Sequence, residues 1–193
     1  MDNETLKELF IEQIRDIYDA EKQLTKALPK MAKGASSEEL QEAITNHLEE
    51  TQGQVGRLEK IFGLLKIPAR SKSCKAMQGL VQEGSEALKE EEKGERRDLA
   101  IIAAAQRVEH YEISAYGTAR AMAEHLNLPQ IVSLLEATQE EETSADEKLT
   151  EVAQSLYQSE DEDMESEDEE MEPASPARGA AKKSSTGRTR SVA

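Results

Sequence analysis

"EHYEISAY", residues 109–116, sets Glu109 and Glu112 three apart inside a segment of helical period. Residues three or four apart share one face of a helix, so the two carboxylates point the same way. Followed outward at that spacing, the same face carries Ile102, Ala105, Tyr116, Ala119 and Ala123. Glutamate on a solvent-facing helix surface is ordinary. Glutamate on the apolar stripe that a helix buries requires a reason.

Three other segments repeat the pattern. One stripe reads Phe10, Ile14, Ile17, Glu21, Leu24, Leu28, Met31. The next reads Leu40, Ile44, His47, Thr51, Gln54, Leu58, Ile61, Leu65, with Glu50 beside the seam. The last reads Ile131, Leu135, Thr138, Glu142, Ala145, Leu149, Val152, Leu156. Every stripe is apolar at both ends and polar in its middle.

Boundary signals delimit four long helices. Thr5 with Glu8 reads as a capping box opening a helix over about 5–32, closed near Gly34. Ser36 with Glu39 opens a second, which runs to about Lys66 before Ile67-Pro68 stops it. A weaker amphipathic segment surrounds Met77, Leu80, Val81 and Leu88, and Gly94 separates it from a third long helix over about 95–126. After Asn127-Leu128-Pro129 a fourth helix is predicted over about 130–157. No segment alternates with the period of a strand, so the chain reads as all-α.

Few residues join the first helix to the second, or the third to the fourth, so each pair reads as an antiparallel hairpin. Roughly 28 residues separate the second from the third, far more than a hairpin needs. Two hairpins joined by one long crossover, with a short helix in it, is the connectivity of a ferritin-like four-helix bundle. An up-down bundle with a decorated loop is the alternative. Gly53 and Gly56 inside the second helix suggest close approach of another helix, with a substrate channel as the alternative.

The bundle is expected to occupy residues 1–158. Residues 159–193 form a tail, acidic in EDEDMESEDEEME (160–172) and then Pro/Ser/Gly/Ala-rich with basic residues over 173–193. Such composition is expected to be disordered, because it offers too little apolar surface to offset the entropy of ordering.

Forty acidic residues against 24 basic give a net charge of −16, which argues against nucleic-acid or anionic-membrane partners. No stretch approaches the roughly 20 apolar residues that span a bilayer. The start, MDNETLKELF, lacks the order of a signal peptide, and a cytoplasmic location is expected. Cys74 is the single cysteine, which excludes an internal disulfide and a thiolate metal cluster.

In an antiparallel bundle the polar mid-helix positions meet in one layer. Four or five buried carboxylates cannot all stay ionised without compensation, since desolvating each costs several kcal/mol. Lys22, Arg57, Arg107, Arg120 and Lys148 lie off the stripes and would have to reach round to supply it. Bound cations are the simpler answer, and a carboxylate-rich site with one imidazole suits iron or manganese. A metal-free layer, in which carboxylates share protons or pair with reaching cations inside an interaction protein, is the rival reading.

Three stretches then carry a resemblance: IEQIRDIYDAEKQLTKALPKMA (11–32), HLEETQGQVGRLEKIF (47–62) and VEHYEISAYGTARAMAEHL (108–126). They resemble the YciE/YciF family of ferritin-like stress proteins over about residues 4–157. The resemblance implies a ferritin-like fold, a homodimer, a centre of two iron ions and a stress role. It also implies ferroxidase-like chemistry with dioxygen or peroxide as substrate. Glu21 resembles the ligand of the first helix, Glu50 the bridging ligand of the second, Glu109 and Glu112 the pair of the third, and Glu142 the carboxylate of the fourth, with Glu141 as alternate. The related bundles carry Glu-x-x-His on the second and fourth helices. Here Gly53 stands three residues after Glu50 and Ala145 three after Glu142, so His47 and Asp146 are the candidate replacements. Tyr18 and Tyr116, one turn from Glu21 and Glu112, are candidates to hydrogen-bond the ligands, or are plain core residues.

Overall fold

The computed structural model describes residues 2–90 and 92–170. Five helices account for the regular structure of those residues: α1 (Asn3–Gly34), α2 (Glu38–Leu64), α3 (Lys75–Glu90), α4 (Glu95–His125) and α5 (Pro129–Glu170). α1, α2, α4 and α5 form the four-helix bundle, and α3 is the short helix of the crossover.

Directions follow from which residues meet. On α1 and α2, Phe10 and Ile14 share a cluster with Leu58 and Ile61, while Leu24 and Leu28 share another with Leu40 and Ile44. These two helices are therefore antiparallel. α1 is antiparallel to α4 by the same test, since Phe10 clusters with Ala123 and Leu28 with Ile101. Gln106 bonds Thr150 at 3.0 Å while Arg120 bonds Gln139 at 3.2 Å, which makes α4 and α5 antiparallel as well. α2 and α4 consequently run the same way, as a long crossover demands and an adjacent hairpin forbids. The ferritin-like connectivity stands.

The stripes do what their pattern requires. Of the positions on the four stripes themselves, only Met31, Leu65, Ala105, Ala145 and Leu156 are less than fully buried. The core splits into two apolar clusters, one around Leu28, Ile44, Ile101 and Leu149, the other around Phe10, Leu58, Tyr116 and Leu135. Between them lies the polar layer. α3 packs on α1 and α4, where Met77 is buried and Leu80, Val81 and Leu88 lean on the first cluster.

Several boundaries differ from expectation. The N-cap of α1 is Asp2, whose carboxylate accepts from Thr5 N–H at 2.8 Å, so Thr5 is inside the helix rather than its cap. Ser37, not Ser36, caps α2 by accepting from Leu40 N–H at 3.3 Å. The backbone N–H groups of Ser36 and Ser37 instead go to Asp98, a buried carboxylate in the first turn of α4, at 2.8 and 2.7 Å. That pair of charge-assisted bonds ties the α1–α2 turn to α4. At the ends of α2 and α4, Lys66 (φ 55°) and Asn127 (φ 56°) take the left-handed conformation that closes many helices. Gly94, at φ 152°, precedes α4 with backbone that side-chain-bearing residues rarely adopt.

α5 continues through Glu170, beyond the end expected near 157. No Pro or Gly interrupts residues 158–170, and Glu and Met are good helix formers. The remainder of the expected disordered tail, 171–193, lies outside the described residues. Gly53 and Gly56 correct the close-approach reading: a Cβ at either would meet nothing within 4 Å. Nothing in the structure explains them. No described helix is long and apolar enough to cross a membrane.

Candidate metal centre

Each bundle helix delivers its stripe's polar residue to the layer between the two clusters. His47 of α2, Glu109 and Glu112 of α4 and Glu142 of α5 each place one ligating atom within 4.8 Å of the others, and all four are buried. His47 Nε2 lies 3.5 Å from Glu109 Oε1 and 3.8 Å from Glu142 Oε2. Glu21 of α1 is fully buried beside them and accepts a hydrogen bond from the Tyr116 hydroxyl on one oxygen.

The layer is short of partners. Glu21 Oε2, Glu109 Oε2, both oxygens of Glu112 and of Glu142, and both nitrogens of His47 are buried without a hydrogen bond. Buried polar groups are nearly always satisfied, because leaving one unpaired costs about 1–3 kcal/mol, more when charged. So many in one place make a group of atoms able to hold a metal ion.

Electrostatics agree. Burial, followed by mutual repulsion, holds Glu112 and Glu142 well above the ordinary carboxylate range. Burial also raises Glu109, although His47 opposes it. For Glu21 burial outweighs the Tyr116 hydrogen bond and pushes the carboxyl to about 8. Burial acts to lower His47, but the Glu109, Glu50 and Glu21 carboxylates prevail and lift it to about 9. None of the five cations weighed above compensates these carboxylates. Arg57 forms a bidentate pair with Glu141, Arg107 pairs with Glu83, and Arg120 with Glu124 and Glu136. Lys148 bridges Glu39 and Glu151, and Lys22 lies over the Tyr18 ring.

The structure separates the remaining candidates. Glu50 sits at the rim, its side chain 47% exposed, with Oε2 3.6 Å from His47 Nδ1 on the opposite side of the imidazole from Glu109. Glu141, the alternate on α5, is occupied by Arg57 and Gln54, which leaves Glu142 facing inward. Asp146 is outside the buried group and is bound by Gln106 and His110. The Tyr18 hydroxyl donates to Glu59 at 2.9 Å, so it does not hold Glu21; Tyr116 does. One network has no counterpart in the sequence reading: Tyr111 links Cys74 Sγ at 3.0 Å to Asp16 at 2.9 Å. A Tyr on the flank of α4, off the stripe, was its only signal in the sequence.

Fold and layer together define a class, the ferritin-like helical bundles with a carboxylate-and-histidine candidate metal centre. Within it, the chain belongs to the family described as Domain of unknown function (DUF892), which it matches over residues 5–162. It is 46% identical over 156 residues to protein YciF of Escherichia coli K12, across 79% of this chain and 93% of that relative. The crystal structure of the E. coli stress protein YciF matches with a TM-score of 0.77 at 44% identity, over 79% of this chain and 97% of that one. YcfI of Rhodopseudomonas palustris matches at 0.74 with 43% identity, over 75% and 92% of the two chains. A Xanthomonas campestris protein only 20% identical shares the fold, at 0.62 over 83% of this chain and 99% of its own.

Proposed function

We propose that this chain is a ferritin-like di-metal stress protein that oxidises Fe(II) with dioxygen or hydrogen peroxide. The observation that carries the reading is the converging set of buried, unpartnered carboxylate and imidazole atoms. Glu21, His47, Glu109, Glu112 and Glu142 are the proposed ligands, with Glu50 reaching in from the rim. Iron, or manganese in its place, supplies one-electron redox chemistry there. Held there, two metal ions would supply one electron each, with which hydrogen peroxide and two protons become two waters. With dioxygen the same two electrons and two protons yield hydrogen peroxide.

The chain's own residues set the conditions. The carboxylates offset the charge gained as Fe(II) becomes Fe(III). Tyr116 orients Glu21 by donating to one of its oxygens and leaves the other free. The two apolar clusters exclude water above and below the layer. Ligation needs ionised carboxylates and neutral imidazole, so metal uptake releases the protons these groups hold.

The test is an anaerobic titration of metal-free protein with Fe(II), followed by thermal unfolding. Metal at 100 times its dissociation constant adds about 2.7 kcal/mol, or roughly 5–10 °C for a domain of this size. Air admitted to the loaded protein is expected to give Fe(III) absorbance faster than in buffer alone. Absence of any metal-induced shift would leave the metal-free interaction protein as the better reading. Dimerisation, which the family resemblance implies, and a cytoplasmic location, expected from the acidic composition and the N-terminal sequence, complete the proposal. Light scattering at micromolar concentration is expected to give twice the chain mass, and a monomer would refute the dimer.

A further inference from the structure

Buried ligands need a path to water, and one cavity connects the layer to the surface. It encloses about 440 Å³ between α2 and α5 and is lined at its inner end by His47 and Glu109. Its outer end carries Glu39, Glu42 and Glu50. Both His47 nitrogens and Glu109 Oε2 are buried without a hydrogen bond, so the acidic mouth leads to side chains that still want a ligand. The second cavity that touches Glu109 is small, about 40 Å³, and otherwise lined by apolar residues such as Leu24, Leu80 and Val81. It offers a cation no replacement for its hydration shell. On the Gln54 side of the layer, the Arg57–Glu141 pair places a guanidinium across the approach.

We propose that the cavity between α2 and α5 is the route by which a divalent cation reaches the layer, gathered by Glu39, Glu42 and Glu50 and passed inward past His47. This rests on the metal-binding reading of the layer and adds to it the path and the steering residues. The imidazole is placed for a relay, with Nδ1 toward Glu50 at the rim and Nε2 toward Glu109 and Glu142 inside. Carboxylates gathered at the mouth of a low-dielectric cleft raise the local cation concentration and the rate of arrival. Lys148 works against them, its ammonium 2.9 Å from Glu39 and 3.4 Å from Glu151. The mouth therefore holds acids that attract a cation and one amine that restrains it.

The route makes predictions of opposite sign, read by stopped-flow mixing of metal-free protein with Co(II) and following its visible absorption. Glu39→Gln with Glu42→Gln is expected to slow loading by about three- to tenfold and to flatten its salt dependence, with the final stoichiometry unchanged. Lys148→Gln is expected to speed it. Ala145→Phe, which fills the half-buried wall of the cavity, is expected to slow loading without altering the amount bound. Should Ala145→Phe not fold, the exposed charge variants decide alone. Wild-type loading rates in the glutamine variants would overturn the route while leaving the metal site intact. A changed stoichiometry in those variants would overturn it too, since it would make the mouth a ligand set rather than a path. No Co(II) bound by the wild type would remove the site and the route together.

Discussion

Metal-free protein is expected to lose stability as pH rises from about 5 to about 8, where most proteins are near their optimum. The cause is the direction in which the buried layer is shifted. A carboxyl raised on folding keeps its proton over an interval in which the unfolded chain has already released it. Glu21 holds its proton to about 8 against an ordinary 4.5, and Glu109, Glu112 and Glu142 are raised as well. His47 adds the same sign. Lifted from 6.5 to about 9, it contributes stability that is complete below 6.5 and lost as pH climbs through 9. Across this range the native state therefore binds more protons than the unfolded state, and linkage requires the free energy of unfolding to fall with pH. For Glu21 that interval, from 4.5 to about 8, spans the whole of the range in which the fall is expected. The other shifted groups titrate outside it, Asp2 below and Cys74, Lys148, Arg57 and the tyrosines above. Urea denaturation in chelator at pH 5, 6, 7 and 8 measures the slope. Saturating Mn(II) is expected to reverse it, because metal competes with the same protons. A flat or rising profile in chelator would show that the layer is compensated from within.

How far the sequence disclosed this depends on the range of the force concerned. The stripes were legible because burial of one helix face imposes a period on the chain, and the polar interruption was legible because it broke that period four times. Loop lengths gave the crossover for an equally simple reason, since a short connection can only turn back. What escaped was decided by competition or by distant partners. Asp2 took the cap from Thr5 because the helix starts one turn earlier, where Asp2 accepts from the N–H of Thr5 itself, and local chemistry alone does not rank the two starts. Glu141 and Glu142 differ by one residue step, and only Arg57 on α2 reveals which one turns outward. His47 lies on the buried stripe as its period requires, whereas Glu50, which the resemblance made a bridging ligand, stays at the rim: the helix phase that buries Ile44, Thr51 and Leu58 also buries His47 and leaves Glu50 outside. Asp98 was invisible, because its partners Ser36 and Ser37 are some sixty residues away in the chain.

Glu112→Leu is expected to make the metal-free protein more stable, by about 1–4 kcal/mol, the range found when buried charged groups give way to well-packed apolar ones. Glu112 is the sharpest place to ask because it has least to lose. Neither of its oxygens has a hydrogen-bond partner. Burial is its largest penalty, and Glu21, Glu142 and Glu109 each add repulsion. Leucine is close to it in size and removes both. Glu109 would be a poorer choice, since its loss strips His47 of a facing carboxylate. Tyr116→Phe is expected to act the other way and cost about 1–3 kcal/mol, because it deprives Glu21 of its donor. The gain at Glu112 should come with a loss of function: the leucine variant is expected to show little or no thermal shift with Fe(II), and combining Glu109→Ala with Glu112→Ala should abolish the shift. Greater stability without metal and weaker response to it, in one variant, is the signature of a residue kept for ligation. A Glu112→Leu protein that is less stable than the wild type in chelator would instead make the carboxylate a structural element, and would count against the metal centre itself.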